Sequence, residues 1–147
     1  MTVVVGVDGS PGSRAAIRLA FTEARYRGSP LLALMAFSPD RALGAPAARP
    51  QATLRTPDEE RTTAETALRQ AVSDALGGDA AGVTLRIEGG TPGRVLVDVA
   101  RSVDAQLVVL ATRRERAPSR LLGAVSQYVL RNAPCPVLVV PGTSRGP

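Results

Sequence analysis

The 147-residue chain contains no histidine, no lysine and no tryptophan, a single cysteine, and aromatic residues at 3% of its positions. Without histidine there is no unperturbed side chain titrating near neutral pH, no Ser-His-Asp or Cys-His arrangement, and none of the commonest zinc ligand. Without lysine there is no Walker lysine and no Schiff-base chemistry. Cys135 has no second thiol for an internal disulfide and no cysteine cluster for a metal; set between Pro134 and Pro136, it reads as a buried, inert thiol. Two Phe and two Tyr leave few platforms on which bases would stack, so nucleic acid is not an expected partner despite a net charge of +5. No apolar run approaches the roughly 20 residues of a membrane-spanning helix, and the N-terminus lacks a basic segment followed by an apolar stretch and a cleavage site. A cytoplasmic location without membrane attachment is expected.

What is present is a composition 44% hydrophobic and 21% charged, that of one soluble domain with a real core, expected to span residues 1–147. All 18 basic residues are arginine, a bias that reads either as genome composition or as a supply of bidentate phosphate and carboxylate ligands. Thr2 to Val7 is a β-branched run turning through Asp8-Gly9-Ser10-Pro11 into a helix, with Ser10 placed as N-cap and Pro11 at the first helical position. Leu31 to Phe37 is a second strand. Ser38 to Thr56, carrying Pro39, Pro46 and Pro50, predicts a long mobile connection or lid. Thr56-Pro57 with Asp58, Glu59 and Glu60 then opens a helix whose stripe is Ala64, Ala67, Leu68, Ala71, Val72, Ala75 and Leu76.

Val83 to Glu88 alternates as a half-exposed edge strand would. A helix with the stripe Val95, Leu96, Val99, Ala100 and Val103 follows Gly89-Gly90-Thr91-Pro92. Leu107 to Ala111 is a buried strand, Thr112 to Leu122 an arginine-rich loop, and Val125, Val129 and Leu130 mark a short helix before the last strand, Val137 to Val140. Strands read as continuous apolar runs alternating with helices predict an α/β fold, a single doubly wound parallel five-stranded sheet with helices on both faces. A ligand in such a sheet sits beyond the carboxyl ends of the central strands. The Asp8-Gly9-Ser10 turn and the loop from Thr112 to Gly123 both lie there, and neither carries a dinucleotide or P-loop fingerprint.

Three segments together, VVVGVDGSPGS, EGGTPGRVL and LLGAVSQYVLRNAPCPVLVV, resemble the universal stress protein family over nearly the whole chain. The resemblance implies strand order 3-2-1-4-5, a homodimer through the C-terminal strand Val137, Leu138, Val139 and Val140, and a role in stress physiology exercised through a protein partner not identified by the sequence. ATP-binding members carry G-x-x-G, nine residues, then G-[ST] after the fourth strand. Here Ala111 and Arg114 stand at the first two glycines, only the eight residues Glu115 to Leu122 precede Gly123, and Ala124 replaces the Ser or Thr. A Cβ at Ala111 and a long side chain at Arg114 are expected to hinder close backbone approach to phosphate.

The first expectation is therefore a non-catalytic stress-response homodimer whose nucleotide site is degenerate, with no cofactor required. The alternative is a regulatory module holding ATP or AMP, with Mg²⁺ only if ATP binds, through Asp8, Gly9, Ala36, Ala111, Thr112, Arg114, Gly123, Ala124 and Val125. Asp8 has two readings, contact with the adenosine part of a ligand or a cap on the turn into the first helix. Ala36 and Phe37 match the family's adenine-facing wall, and read otherwise as core. Arg113, Arg114, Arg116 and Arg120 either hold phosphate by their side chains or are solvated. No metal site is expected, and the 143–147 tail makes a poor cover for the last strand.

Overall fold

The computed structural model describes residues 1–38, 56–80, 82–112 and 123–142. Most of the expected lid, the loop arginines Arg113, Arg114, Arg116 and Arg120, and the 143–147 tail lie outside the described residues. Five strands, β1 (Thr2–Gly6), β2 (Leu31–Phe37), β3 (Val83–Gly89), β4 (Ala105–Ala111) and β5 (Val137–Val140), form a parallel sheet in the order β3-β2-β1-β4-β5. The expected α/β class and strand order are both present.

The helices are α1 (Gly12–Arg27), α2 (Pro57–Leu76), α3 (Pro92–Ser102) and α4 (Ala124–Asn132). β1 is the centre of the sheet because its side chains are apolar on both faces: Val3, Val4 and Val5 are each fully buried. The period of two along the strands then sorts the core. Val3, Val5, Ala33, Met35 and Val109 pack under α1 and α2, while Val4, Leu32, Leu34, Val108 and Leu110 pack under α3 and α4. Strand β3 does lie at an edge, with Ile87 its one buried residue and an Arg86–Glu88 ion pair at 2.7 Å. At the other edge all four residues of β5 are half-buried.

Side chains fix both ends of α2 and the end of α4. A capping box opens α2: the Glu59 amide donates to Thr56 Oγ1 at 3.2 Å, and the Thr56 amide donates to Glu59 Oε2 at 2.9 Å. Two arginines satisfy C-terminal carbonyls on neighbouring helices, Arg18 Nε donating to the Ala75 carbonyl at 3.0 Å and Arg101 Nη2 to that of Asn132 at 3.2 Å. At α1 the expectation shifts by one residue, since Pro11 is the cap position, with no side-chain cap bond, and the helix begins at Gly12. In α4 the expected stripe is rotated: Val125 and Leu130 are 37% and 44% exposed, and the inward face carries Ser126 and Val129. Among the described residues no helix is long and apolar enough to cross a membrane.

Leu68, fully buried in α2, and Thr56 at that helix's cap test core against terminus. Leu68→Ala is expected to cost about 2–5 kcal/mol through the cavity it leaves, and Thr56→Ala about 1 kcal/mol. Urea unfolding of the two variants gives the comparison, and equal costs would contradict the assignment of Leu68 to the core.

Candidate functional site

The chain crosses from one face of the sheet to the other at β1, whose neighbours β2 and β4 continue into helices on opposite sides. This leaves a crevice beyond the strand ends. A cavity of about 330 Å³ occupies it, walled by Val7, Leu34, Ala36, Val95, Leu96 and Leu110 and bordered by Asp8, Ser13, Pro92 and the start of α4 from Gly123 to Ser126. The walls are apolar and the two ends are polar, the composition of a small-molecule pocket.

Asp8 forms the first end. Its Oδ1 accepts from the Ser10 amide at 2.9 Å and from Ser13 Oγ at 2.7 Å, and Ser13 Oγ also accepts from the Asp8 amide at 3.2 Å. Asp8 thus ties the turn to the first turn of α1, one of its two readings from the sequence, whereas Ser10, placed there as the N-cap, is not the cap residue. Because Asp8 is exposed and also borders the cavity, its structural role does not remove it from the ligand's reach. Gly9 lies in this turn with φ +81° and does not line the cavity; what the position requires is the left-handed backbone.

The N-terminus of α4 forms the second end. Gly123 is its cap residue, with φ −65° and ψ 164° and no side-chain hydrogen bond to the first turn. Gly123, Ala124, Val125 and Ser126 all border the cavity, so the partial positive charge of the helix start faces into it.

Ala111 borders the cavity too, but alternation along β4 puts its methyl on the α1 side of the sheet, where it packs with the core beneath that helix. A Cβ placed on Gly12 would lie 3.3 Å from the Ala111 Cβ. The methyl expected to obstruct backbone approach is therefore lodged against Gly12, on the face away from α3 and α4. Thr112 does not line the cavity: its amide donates to the Val140 carbonyl at 2.9 Å, and its Oγ1 accepts from the Gly142 amide at 3.2 Å, holding β4 to the end of β5. Phe37 faces the α2 side, its ring centroid 5.8 Å from the Arg61 guanidinium carbon, whereas Ala36 lines the cavity as expected. Arg114 lies outside the described residues.

Sequence reasoning missed Ser13 and Ser126, the two buried polar side chains of the described residues, at 1% and 3% exposure. A polar residue three positions before Val129, on the inward stripe of a short helix, was the available signal for Ser126. Cys135 is half-buried rather than buried as expected, and this partial burial raises its thiol above the ordinary range, opposed in part by a hydrogen bond with the Val108 backbone. Among the described residues no cluster of three or more His, Cys, Asp or Glu side chains could hold a metal ion.

The universal stress protein family matches residues 1–141. A universal stress protein of Mycobacterium tuberculosis is 34% identical over 140 residues, covering 94% of this chain and 46% of that protein. The chain thus spans about half the length of the mycobacterial relatives it matches. A solved universal stress protein in complex with cAMP is 28% identical with a TM-score of 0.69, covering 97% of this chain and 98% of the other. One from Archaeoglobus fulgidus in complex with dAMP is 25% identical with a TM-score of 0.56, covering 95% and 97%.

The contact between Gly12 and Ala111 predicts a measurable coupling. Gly12→Ala is expected to destabilise the protein more in the natural background than in the Ala111→Gly background, with a coupling energy of about 0.5–3 kcal/mol. A double-mutant cycle in urea that closes to zero would contradict the placement of the Ala111 methyl. The raised thiol predicts slow alkylation of Cys135 by iodoacetamide at pH 7 relative to glutathione. The thiolate forms, and the rate rises, only as the pH climbs through the raised value; parity with glutathione at pH 7 would contradict it.

Proposed function

The chain belongs to the universal stress protein family, and from that premise we propose that it is a non-catalytic regulatory module that binds an adenine nucleotide in this crevice. The observation that carries the reading is the crevice itself, an apolar slot of about 330 Å³ between the Asp8 carboxylate and the bare N-terminus of α4. An adenine ring suits the walls formed by Ala36, Leu34 and Leu96. The sugar hydroxyls suit Asp8 as acceptor, and a phosphate suits the α4 amides together with Gly123, Ala124 and Val125. Two structural neighbours that bind cAMP and dAMP support an adenine nucleotide as the ligand class. AMP and ATP share that chemistry, and Mg²⁺ enters only with the triphosphate.

The opposite reading, a degenerate site, rests on Ala111, Arg114 and Ala124. The position of the Ala111 methyl on the α1 side weakens one of those three supports. A non-catalytic role is supported by the absence of histidine and lysine in the chain, which removes the commonest general base and any phosphate-transfer lysine. The proposed module works in the cytoplasm as a homodimer and passes its nucleotide state to a protein partner. The two sheet edges support the choice of dimer strand: β3 carries the Arg86–Glu88 pair, a charged edge that resists pairing, while β5 offers only Val137, Leu138, Val139 and Val140.

Thermal unfolding with AMP, ATP or cAMP tests the binding. At about 100 times the Kd a ligand adds about 2.7 kcal/mol, roughly 5–10 °C in Tm for a chain of this size. A shift with adenine nucleotides and none with GMP or GTP is expected; no shift with any nucleotide would overturn the reading. Light scattering is expected to give twice the 15.2 kDa chain mass, and a monomer at micromolar concentration would overturn the dimer.

A further inference from the structure

Another cavity, of about 300 Å³, lies between α2 and the free edge of the sheet at β3. Its floor is apolar: Leu68 of α2 and Ile87 of β3 are buried, and Leu85, on the same face of the strand as Ile87, is 39% exposed. Its rim is charged. Arg61, Glu65 and Arg69 follow one another at successive turns of α2, and Arg86 and Glu88 stand across from them on β3.

The two walls differ in how their charges are satisfied. Arg86 and Glu88 hold each other at 2.7 Å, as Arg14 and Arg27 elsewhere hold Asp74 and Glu23. Arg61 and Arg69 take part in no ion pair or side-chain hydrogen bond among the described residues, although Glu65 lies four residues from each; Arg61 stands over the Phe37 ring instead. Two guanidiniums without carboxylates, beside an apolar floor, are complementary to a partner that brings both. The eight residues from Arg61 to Arg69 place them about 12 Å apart along the groove at about 1.5 Å per residue. An extended segment covers that distance in about four residues, with alternate side chains on one face. Its first and fifth residues then meet the two arginines and its third lies over Leu85. Glu65, between the arginines, opposes a ligand charged along its whole length, such as polyphosphate or a nucleic-acid strand. We propose that this groove docks an acidic peptide segment of a protein partner, with two carboxylate side chains four residues apart and an apolar side chain midway. The segment is held by its side chains rather than as a sixth strand, because the Arg86–Glu88 pair charges the edge. This gives the partner of the module a surface separate from the crevice, and it holds whether or not the crevice takes a nucleotide.

Amide nitrogen–proton NMR of the full chain, titrated at low salt to millimolar concentration with the end-blocked peptide Asp-Ser-Leu-Ser-Asp, tests this. Shifts are expected to gather at residues 61–69 and 85–88, with the amides of the crevice unmoved. Arg61→Ala and Arg69→Ala are each expected to weaken binding about two- to fivefold, the range for an exposed ion pair, and the double variant about tenfold. Arg94→Ala, which removes the same charge from an exposed position on α3, is expected to leave binding unchanged. Serine in place of the peptide's leucine is expected to weaken it as well. No binding to the natural protein, or an equal loss in Arg94→Ala, would overturn the proposal. So would tighter binding of tripolyphosphate at the same amides, which would make the groove a site for polyanions.

Discussion

Burial of β1 on both faces is the constraint from which the rest follows. Val3, Val4 and Val5 are fully buried, and side chains like these stabilise by about 1.5–3 kcal/mol each when removed from water. A strand that must be covered on both sides needs α1 and α2 over one face and α3 and α4 over the other. Its two neighbours, β2 and β4, feed those opposite layers. The space beyond its carboxyl end cannot be closed by either layer, and the crevice is the consequence.

The same constraint sets the chemistry of the crevice. As β1 ends, the chain must turn sharply into α1, and Asp8 holds that turn through the Ser10 amide and Ser13 Oγ. A carboxylate is thereby fixed at one end of the cavity for structural reasons and is in place for a ligand. On the opposite side α4 starts after its cap residue Gly123, and its amides point to the same space. Two polar ends across an apolar slot arise from the way an α/β sheet terminates, before any residue is selected for binding.

The strands were legible in the sequence because a parallel sheet covered on both faces needs continuous apolar runs, as in Leu31 to Phe37. The edge position of β3 was legible from its alternation. The helix starts were less so: Ser10 looks like a cap locally, and the Asp8 bond to the Ser10 amide follows ordinary turn rules, yet the bonds between Asp8 and Ser13, five residues apart, have a spacing that short capping rules do not contain. For α4, four of the nine residues are apolar enough to draw the inward face in more than one way, and only packing against α3 and β5 decides for Ser126 and Val129. Ala111 shows the limit of reading a motif as letters. The sequence reports a missing glycine, whereas the period of the strand decides which way the added methyl points, and Gly12 provides the room.

The central claim is that one crevice, bounded by the Asp8 turn and the α4 N-terminus, is where this chain meets an adenine nucleotide. A titration with AMP followed by amide nitrogen–proton NMR reads this most directly. Shifts concentrated on the amides of Asp8, Ala124, Val125 and Ser126, saturating together with one Kd, are the predicted result. Shifts scattered over the surface, or gathered at the β3 edge while those four amides stay unmoved, would contradict it.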